Sequence, residues 1–175
     1  MDAILLIVIG VGLTTFLLRL ESWPSNRLPG PLPAADTAWA MSEENVETVK
    51  RGFDAITRLD AEEMLELMDP EIEFRPRFQL MLGGEAAEYH GYAGIREAFR
   101  DVYSALDWIK PEVSEIRDLG DRIVALGHLR IRGKATGIEA DASAGWVVDI
   151  RDGRAVQISE YLDHAQALEA AGLSE

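Results

Sequence analysis

Cysteine is absent from the 175 residues, which removes disulfide frameworks, thiol nucleophiles and thiolate zinc sites together. It also leaves the redox compartment unread. Histidine is scarce: His90, His128 and His164 are the three, and none pairs at the H-x-x-x-H spacing that sets two ligands on one helix face. A metal centre is not expected, and no motif calls for a cofactor. Basic residues are also few. Seventeen Lys and Arg stand against 31 Asp and Glu, a formal net charge of −14, with no Lys/Arg-rich stretch. Nucleic-acid affinity comes largely from basic side chains neutralising phosphates, so DNA or RNA is not an expected partner. The acidic balance favours solubility.

The hydrophobic share of 47% and charged share of 27% are ordinary for a soluble globular chain. The length suits one domain of roughly 100–150 residues with an appendage. One long apolar run exists, Ala3 to Leu18, ended by Arg19. As a helix it would reach about 24 Å, short of a hydrocarbon core of roughly 30 Å; extended to Leu20 with Arg19 snorkelling, it makes a marginal span. A secretory signal fits least, because the chain opens Met1-Asp2 and the A-x-A at Ala38-Trp39-Ala40 lies far beyond the run. Glu21 to Ala40 holds Pro24, Pro29, Pro31 and Pro33, four of the seven prolines, and reads as a linker. Residues 1–20 are then either a membrane anchor or a stretch upstream of a true start at Met41. The domain is membrane-anchored in the first case and cytoplasmic in the second.

From Met41 to Leu173 the patterning is that of one α+β domain. Ser42 is placed to cap a helix whose apolar residues Val46, Val49, Phe53, Ile56 and Leu59 recur at spacings of three and four. Asp60, with Glu63 three residues on, starts a second short helix that Asp69-Pro70 ends. Ile72 to Arg75 alternates as a strand, and Tyr92 to Leu106 returns to helical period through Ile95, Phe99, Val102 and Leu106. Period two then takes over: Pro111 to Leu119, Arg122 to Arg132, Glu139 to Ile150 and Arg154 to Leu162, joined by Gly-containing turns. Asp163 with Gln166 caps a last helix that Gly172 closes. Helices kept apart from an antiparallel run of strands predict three N-terminal helices on a strongly curved mixed or antiparallel sheet, plus a short C-terminal helix. Such a cone leaves an open mouth, and hence a pocket.

Several short stretches in this order resemble one family. Met41-Ser42-Glu43-Glu44-Asn45-Val46-Glu47 resembles the opening of SnoaL-like proteins of the nuclear transport factor two-like superfamily. Met68-Asp69-Pro70-Glu71-Ile72-Glu73-Phe74 resembles its first strand, and His90-Gly91-Tyr92-Ala93-Gly94-Ile95-Arg96 the entry to its third helix. Arg151-Asp152-Gly153-Arg154, Glu160-Tyr161-Leu162-Asp163 and Ala167 to Leu173 resemble its closing hairpin and tail. The superfamily spans polyketide cyclases, ketosteroid isomerase, limonene epoxide hydrolase, dehydratases and non-enzymatic modules, so the resemblance implies a fold more than an activity. Ketosteroid isomerase chemistry is not supported, because its base, tyrosine and acid fall at Arg75, Gly52 and Trp146. The Asp-Arg-Asp set of the epoxide hydrolase is not found either.

Strand parity selects what could face a pocket. The even positions Ala142, Ala144, Trp146, Val148 and Ile150 are apolar, as are Val156, Ile158 and Leu162. Glu160 shares their parity. A type I turn with Gly153 as a bulge sets Val148 opposite Val156 and Trp146 opposite Ile158, with Glu160 beside Ala144. A carboxyl there has a raised pKa suited to acid/base work, or is simply a buried, ion-paired Glu. The resemblance places Arg75 inward, whereas parity with Ile72 and Phe74 turns it outward. His90 stands in a loop, at the mouth or in solvent. Glu160, Arg75 and His90 are the candidate catalytic residues. Phe53, Phe74, Phe99, Trp146 and Ile158 are the expected apolar lining, with Trp146 equally readable as core. His128, Arg130 and Arg132 fall on the outer sheet face, which the resemblance implies can form a homodimer. The expected function is binding of a small hydrophobic molecule, with cofactor-free isomerase-, cyclase- or hydrolase-type proton transfer, or else a non-catalytic ligand-binding or dimerisation module. A cavity smaller than about 300 Å³ would favour the dimerisation module.

Overall fold

The structure is a computed structural model that describes residues 35–173, with side chains from Ser42 onward. The apolar segment 3–20 and the linker prolines lie outside the described residues. Helix α1 runs Ala35–Arg58 and α2 Ala61–Glu66; strand β1 is Met68–Arg75. A one-turn helix α3 (Phe78–Met81) and a short strand β2 (Tyr89–His90) precede α4 (Gly91–Ala105). Four long strands follow, β3 (Leu106–Asp118), β4 (Arg122–Gly133), β5 (Glu139–Arg151) and β6 (Arg154–Tyr161), and α5 (His164–Ala170) closes the order.

The strands make one open mixed sheet in the order β2-β1-β6-β5-β4-β3, in which β1 runs parallel to β6 and the other neighbours are antiparallel. The α+β class, with the N-terminal helices on one face of an open mixed sheet and a short C-terminal helix, is as the sequence predicts. Helices α1, α2 and α4 cover the inner face, where Val49, Ile72, Ile95, Phe99, Ile123, Val148 and Ile150 form one continuous apolar cluster. The outer face is covered only in part. Val124, Leu126 and Val147 lie beneath Ala167 and Leu168 of α5, so Ile123 to Gly127 are buried without alternation. Gly145 permits that contact, since a Cβ there would stand 2.4 Å from the Ala167 methyl.

Two of the three predicted N-caps form. Asp60 Oδ1 accepts from Glu63 N at 3.0 Å, and Asp163 Oδ1 accepts from Gln166 N at 3.0 Å. Gly172, at φ +78°, ends α5 in the left-handed conformation only glycine adopts freely.

Beyond the earlier start of β1 and the added α3 and β2, three features differ from the sequence reading. Helix α1 starts at Ala35 rather than at Ser42: the next proline after Pro33 is Pro70, and Ala35 to Ala40 is rich in good helix formers. Ser42 instead sits within the helix and donates to Asp118 Oδ2. At the other end of the helical region, Leu106 fits the helical stripe yet is extended (φ −116°, ψ 144°), because β3 begins there and pairs with Gly133. Pro111 is tolerated inside β3 because that strand lies on the sheet edge.

The third difference is the last hairpin. Asp152 and Gly153 both have positive φ (53° and 73°) and Arg151 pairs with Arg154, a two-residue type I′ turn. The bulge falls one step later, at Val156, between the pairs Ile150–Ala155 and Asp149–Gln157. Val148 therefore faces Ile158 and Trp146 faces Glu160. The extra residue restores the inward parity of Glu160, in a register shifted by two from the expected one.

Candidate functional site

Beneath the sheet, between α1, α4 and the β5–β6 pair, the core leaves a cavity of about 80 Å³. That is room for roughly half a dozen waters. Its walls are mostly hydrocarbon, with five aromatic rings (Phe53, Phe74, Phe78, Phe99, Trp146) and the side chains of Met64, Met68 and Ile158 among them. Phe53 meets Trp146 edge to face at 5.0 Å between centroids. Thr48, Trp146 and Glu160 are the lining residues with polar side-chain atoms, and Glu160 is the one that ionises.

Glu160 is 5% exposed. Its Oε2 accepts from Trp146 Nε1 at 3.2 Å, the cross-strand partner that the bulged register supplies. Its Oε1 accepts from the backbone N–H of Arg77 at 3.2 Å. Burial pushes the carboxyl up to about 7; the Trp146 and Arg77 hydrogen bonds and the Arg77 charge, which favour the ionised form, only partly oppose it. The group is therefore divided between acid and carboxylate near neutrality, in a space walled mostly by hydrocarbon.

The three candidate catalytic residues do not come together. Arg75 lies off the cavity, where its guanidinium meets Glu73 at 2.7 Å and Glu88 at 3.5 Å; the strand keeps its parity, so Phe74 points in and Arg75 out. His90 is exposed at the N-cap of α4, opposite Glu73, and likewise does not line the cavity. Arg77 stands close to Glu160 instead. Pro76 stops β1, the chain turns over β6, and the Arg77 N–H and the Phe78 ring arrive at the cavity together. Pro76 was the available signal, since a proline ends strand pairing; what followed it was not legible from parity. Phe53, Phe74, Phe99, Trp146 and Ile158 all line the cavity.

Two polar groupings lie elsewhere. Tyr89 Oη donates to Asp101 Oδ2 at 2.5 Å and accepts from Gln79 Nε2 at 3.3 Å. Burial and then Asp101 push its hydroxyl up to about 12, so it stays protonated and ties α3 and β2 to α4. On the outer face of β3 to β5, His128 contacts Asp141 at 2.8 Å, Arg130 meets Glu112 at 3.0 Å, and Arg132 approaches Asp107 and Glu139. Among the described residues no group of His, Asp and Glu is arranged to hold a metal ion, and no helix is long and apolar enough to cross a membrane.

A family model described as SnoaL-like domain matches residues 49–158. The chain belongs to the SnoaL-like family. No protein of curated function matches it in sequence. Among solved structures, it resembles an NTF2-like protein of unknown function from Burkholderia pseudomallei K96243, with 24% identity over 72% of this chain and 95% of that one, at a TM-score of 0.61. An NTF2-like protein from Burkholderia xenovorans LB400 is 25% identical over 77% and 98%, at 0.58. TerC, co-crystallized with polyporic acid, is 24% identical over 72% and 96%, at 0.60. The SnoaL-like match thus runs from within α1 to Ile158 in β6 and covers most of the cavity lining, with Thr48 and Glu160 just outside it.

Proposed function

We propose that this SnoaL-like domain takes up a small, largely apolar molecule in the cavity and that Glu160 exchanges a proton with it, without a cofactor. One observation carries the reading: the single ionisable side chain in a hydrocarbon-lined space is a carboxyl pushed up to about 7. A group whose pKa lies near the working pH is the best compromise between being in the right protonation state and driving the transfer. With no second ionisable group in the lining, the reactions in reach are those one acid/base can run, such as moving a proton between two sites of one molecule.

Native mass spectrometry of the full-length protein from its own host tests this. The expected result is a co-purifying small molecule that is converted by the wild type and bound but unconverted by Glu160→Gln. Conversion by the variant would remove Glu160 from the chemistry. Binding with no conversion by either protein would leave a non-catalytic binding module.

A second reading is favoured by the cavity's size. About 80 Å³ is well below the roughly 300 Å³ at which ligand pockets begin, which suits a dimerisation module whose interior is filled by its own side chains. The rows of alternating charge on β3 to β5 support a homodimer through that face, because Glu112, Arg130 and Asp141 offer a two-fold copy complementary partners. The same spectrum separates the readings: this one expects a dimer with no small molecule.

A further inference from the structure

With Glu160 ionised, the cavity offers a guest acceptors and aromatic rings but no free donor. Both oxygens of Glu160 already take an N–H, from Arg77 and Trp146, and the Thr48 hydroxyl is turned to the Gly153 carbonyl at 3.4 Å. Those two N–H groups suit a carboxylate, and each of its oxygens keeps a further lone pair. The rings of Phe53, Phe74, Phe78, Phe99 and Trp146 complete the wall, and aromatic faces carry partial negative charge. No cationic side chain lines the space; the Arg77 guanidinium donates to Pro76 O at 2.9 Å. A buried negative group with unused acceptors, set among aromatic rings, is completed by a positive guest.

We infer that the ligand is a small alkylammonium ion, a protonated secondary or tertiary amine of roughly six non-hydrogen atoms, whose N–H donates to a Glu160 oxygen while its carbons lie against the rings. This names the ligand class for the cavity proposed above and rests on that cavity admitting a guest. Size limits the class, since the space of about 80 Å³ holds only that many atoms without movement of the walls. Charge favours it too: the chain's −14 raises the local concentration of cations.

Two probes of similar size and shape test the inference on the full-length protein by calorimetry: N-methylpyrrolidine, protonated near neutrality, and cyclopentanone, which can only accept. At about pH 8 the amine is expected to bind at least tenfold more tightly. As pH falls below about 7, Glu160 takes up a proton that an ammonium guest must displace, so amine affinity should fall about tenfold per pH unit. The ketone should move the opposite way, because its oxygen needs that proton. The charged group facing Glu160 is Arg77, from the β1–α3 connection; α1, α2, α4 and β3 to β6 bring no other ionisable side chain to the lining. Glu160→Gln should abolish the preference for the amine while retaining the ketone, which also reports that the variant is folded. A ketone that binds as well as the amine at about pH 8, or reversed pH slopes, would overturn the ammonium assignment and leave the cavity standing. Absence of binding by both probes would sink both.

Discussion

Glu160 makes the stability of this fold depend on pH in an unusual direction. The folded chain holds the Glu160 proton up to about 7, whereas an unfolded chain releases it near the ordinary value of 4.5. Between those values the native state binds more protons than the unfolded state, so stability falls as pH rises through that window. The gap corresponds to about 3 kcal/mol, fully present as a penalty above about pH 7 and absent below about pH 4. Glu160→Gln removes the titration. It also leaves one N–H, of Arg77 or Trp146, facing the amide NH₂ instead of an acceptor, at a cost of about 1 kcal/mol at every pH. The variant should therefore be less stable than the wild type by about 1 kcal/mol near pH 4 and more stable by about 2 kcal/mol near pH 8. Urea denaturation of both proteins across that range measures the crossing, and every other titrating group cancels in the comparison. Tyr89, pushed up to about 12, does not titrate within it. A constant difference between the two proteins from end to end would refute the buried, high-pKa carboxyl.

Two further outcomes follow from contacts around the site. Trp146→Phe keeps the ring against Phe53 but removes an N–H that favours the ionised acid, so the Glu160 carboxyl should titrate about one pH unit higher, as read from its side-chain carbon resonance by NMR. Gly145→Ala sets a methyl 2.4 Å from Ala167 and must lift α5 from the sheet; a loss of about 1–3 kcal/mol by urea denaturation is expected, and a neutral substitution would show that α5 is loosely held.

Parity made the inward side of the sheet legible: Trp146, Val148, Ile158 and Glu160 are where alternation puts them, because a buried face tolerates no slip. The turn was less legible. Asp152-Gly153 supports a type I′ turn and a bulged type I turn alike, and the position of the extra residue, Val156, depends on β1 pairing with β6 on its far side. Arg75 shows the limit of resemblance, since aligning a residue with a family position carries its number but not its direction. Helix α4 stops at Ala105 although the apolar stripe runs on to Leu106, because period alone does not register that Gly133 stands ready to pair. The Arg77 N–H that reaches Glu160 is backbone, and no side-chain pattern encodes it.

Helix α1 is held by two hairpin tips: Asn45 Nδ2 donates to Gly120 O at 3.1 Å and the Thr48 hydroxyl to Gly153 O. Those partners lie 75 and 105 residues further along the chain. At ribosomal rates the later one is made roughly 5–20 s after the helix itself. For the first part of that interval, until the long strands from β3 onward are made, Val49 and Ala55, buried in the finished fold, have no sheet to cover them. The first helix of the domain thus gains its second anchor only when the last hairpin has been made, long after β3 is there to pack against it.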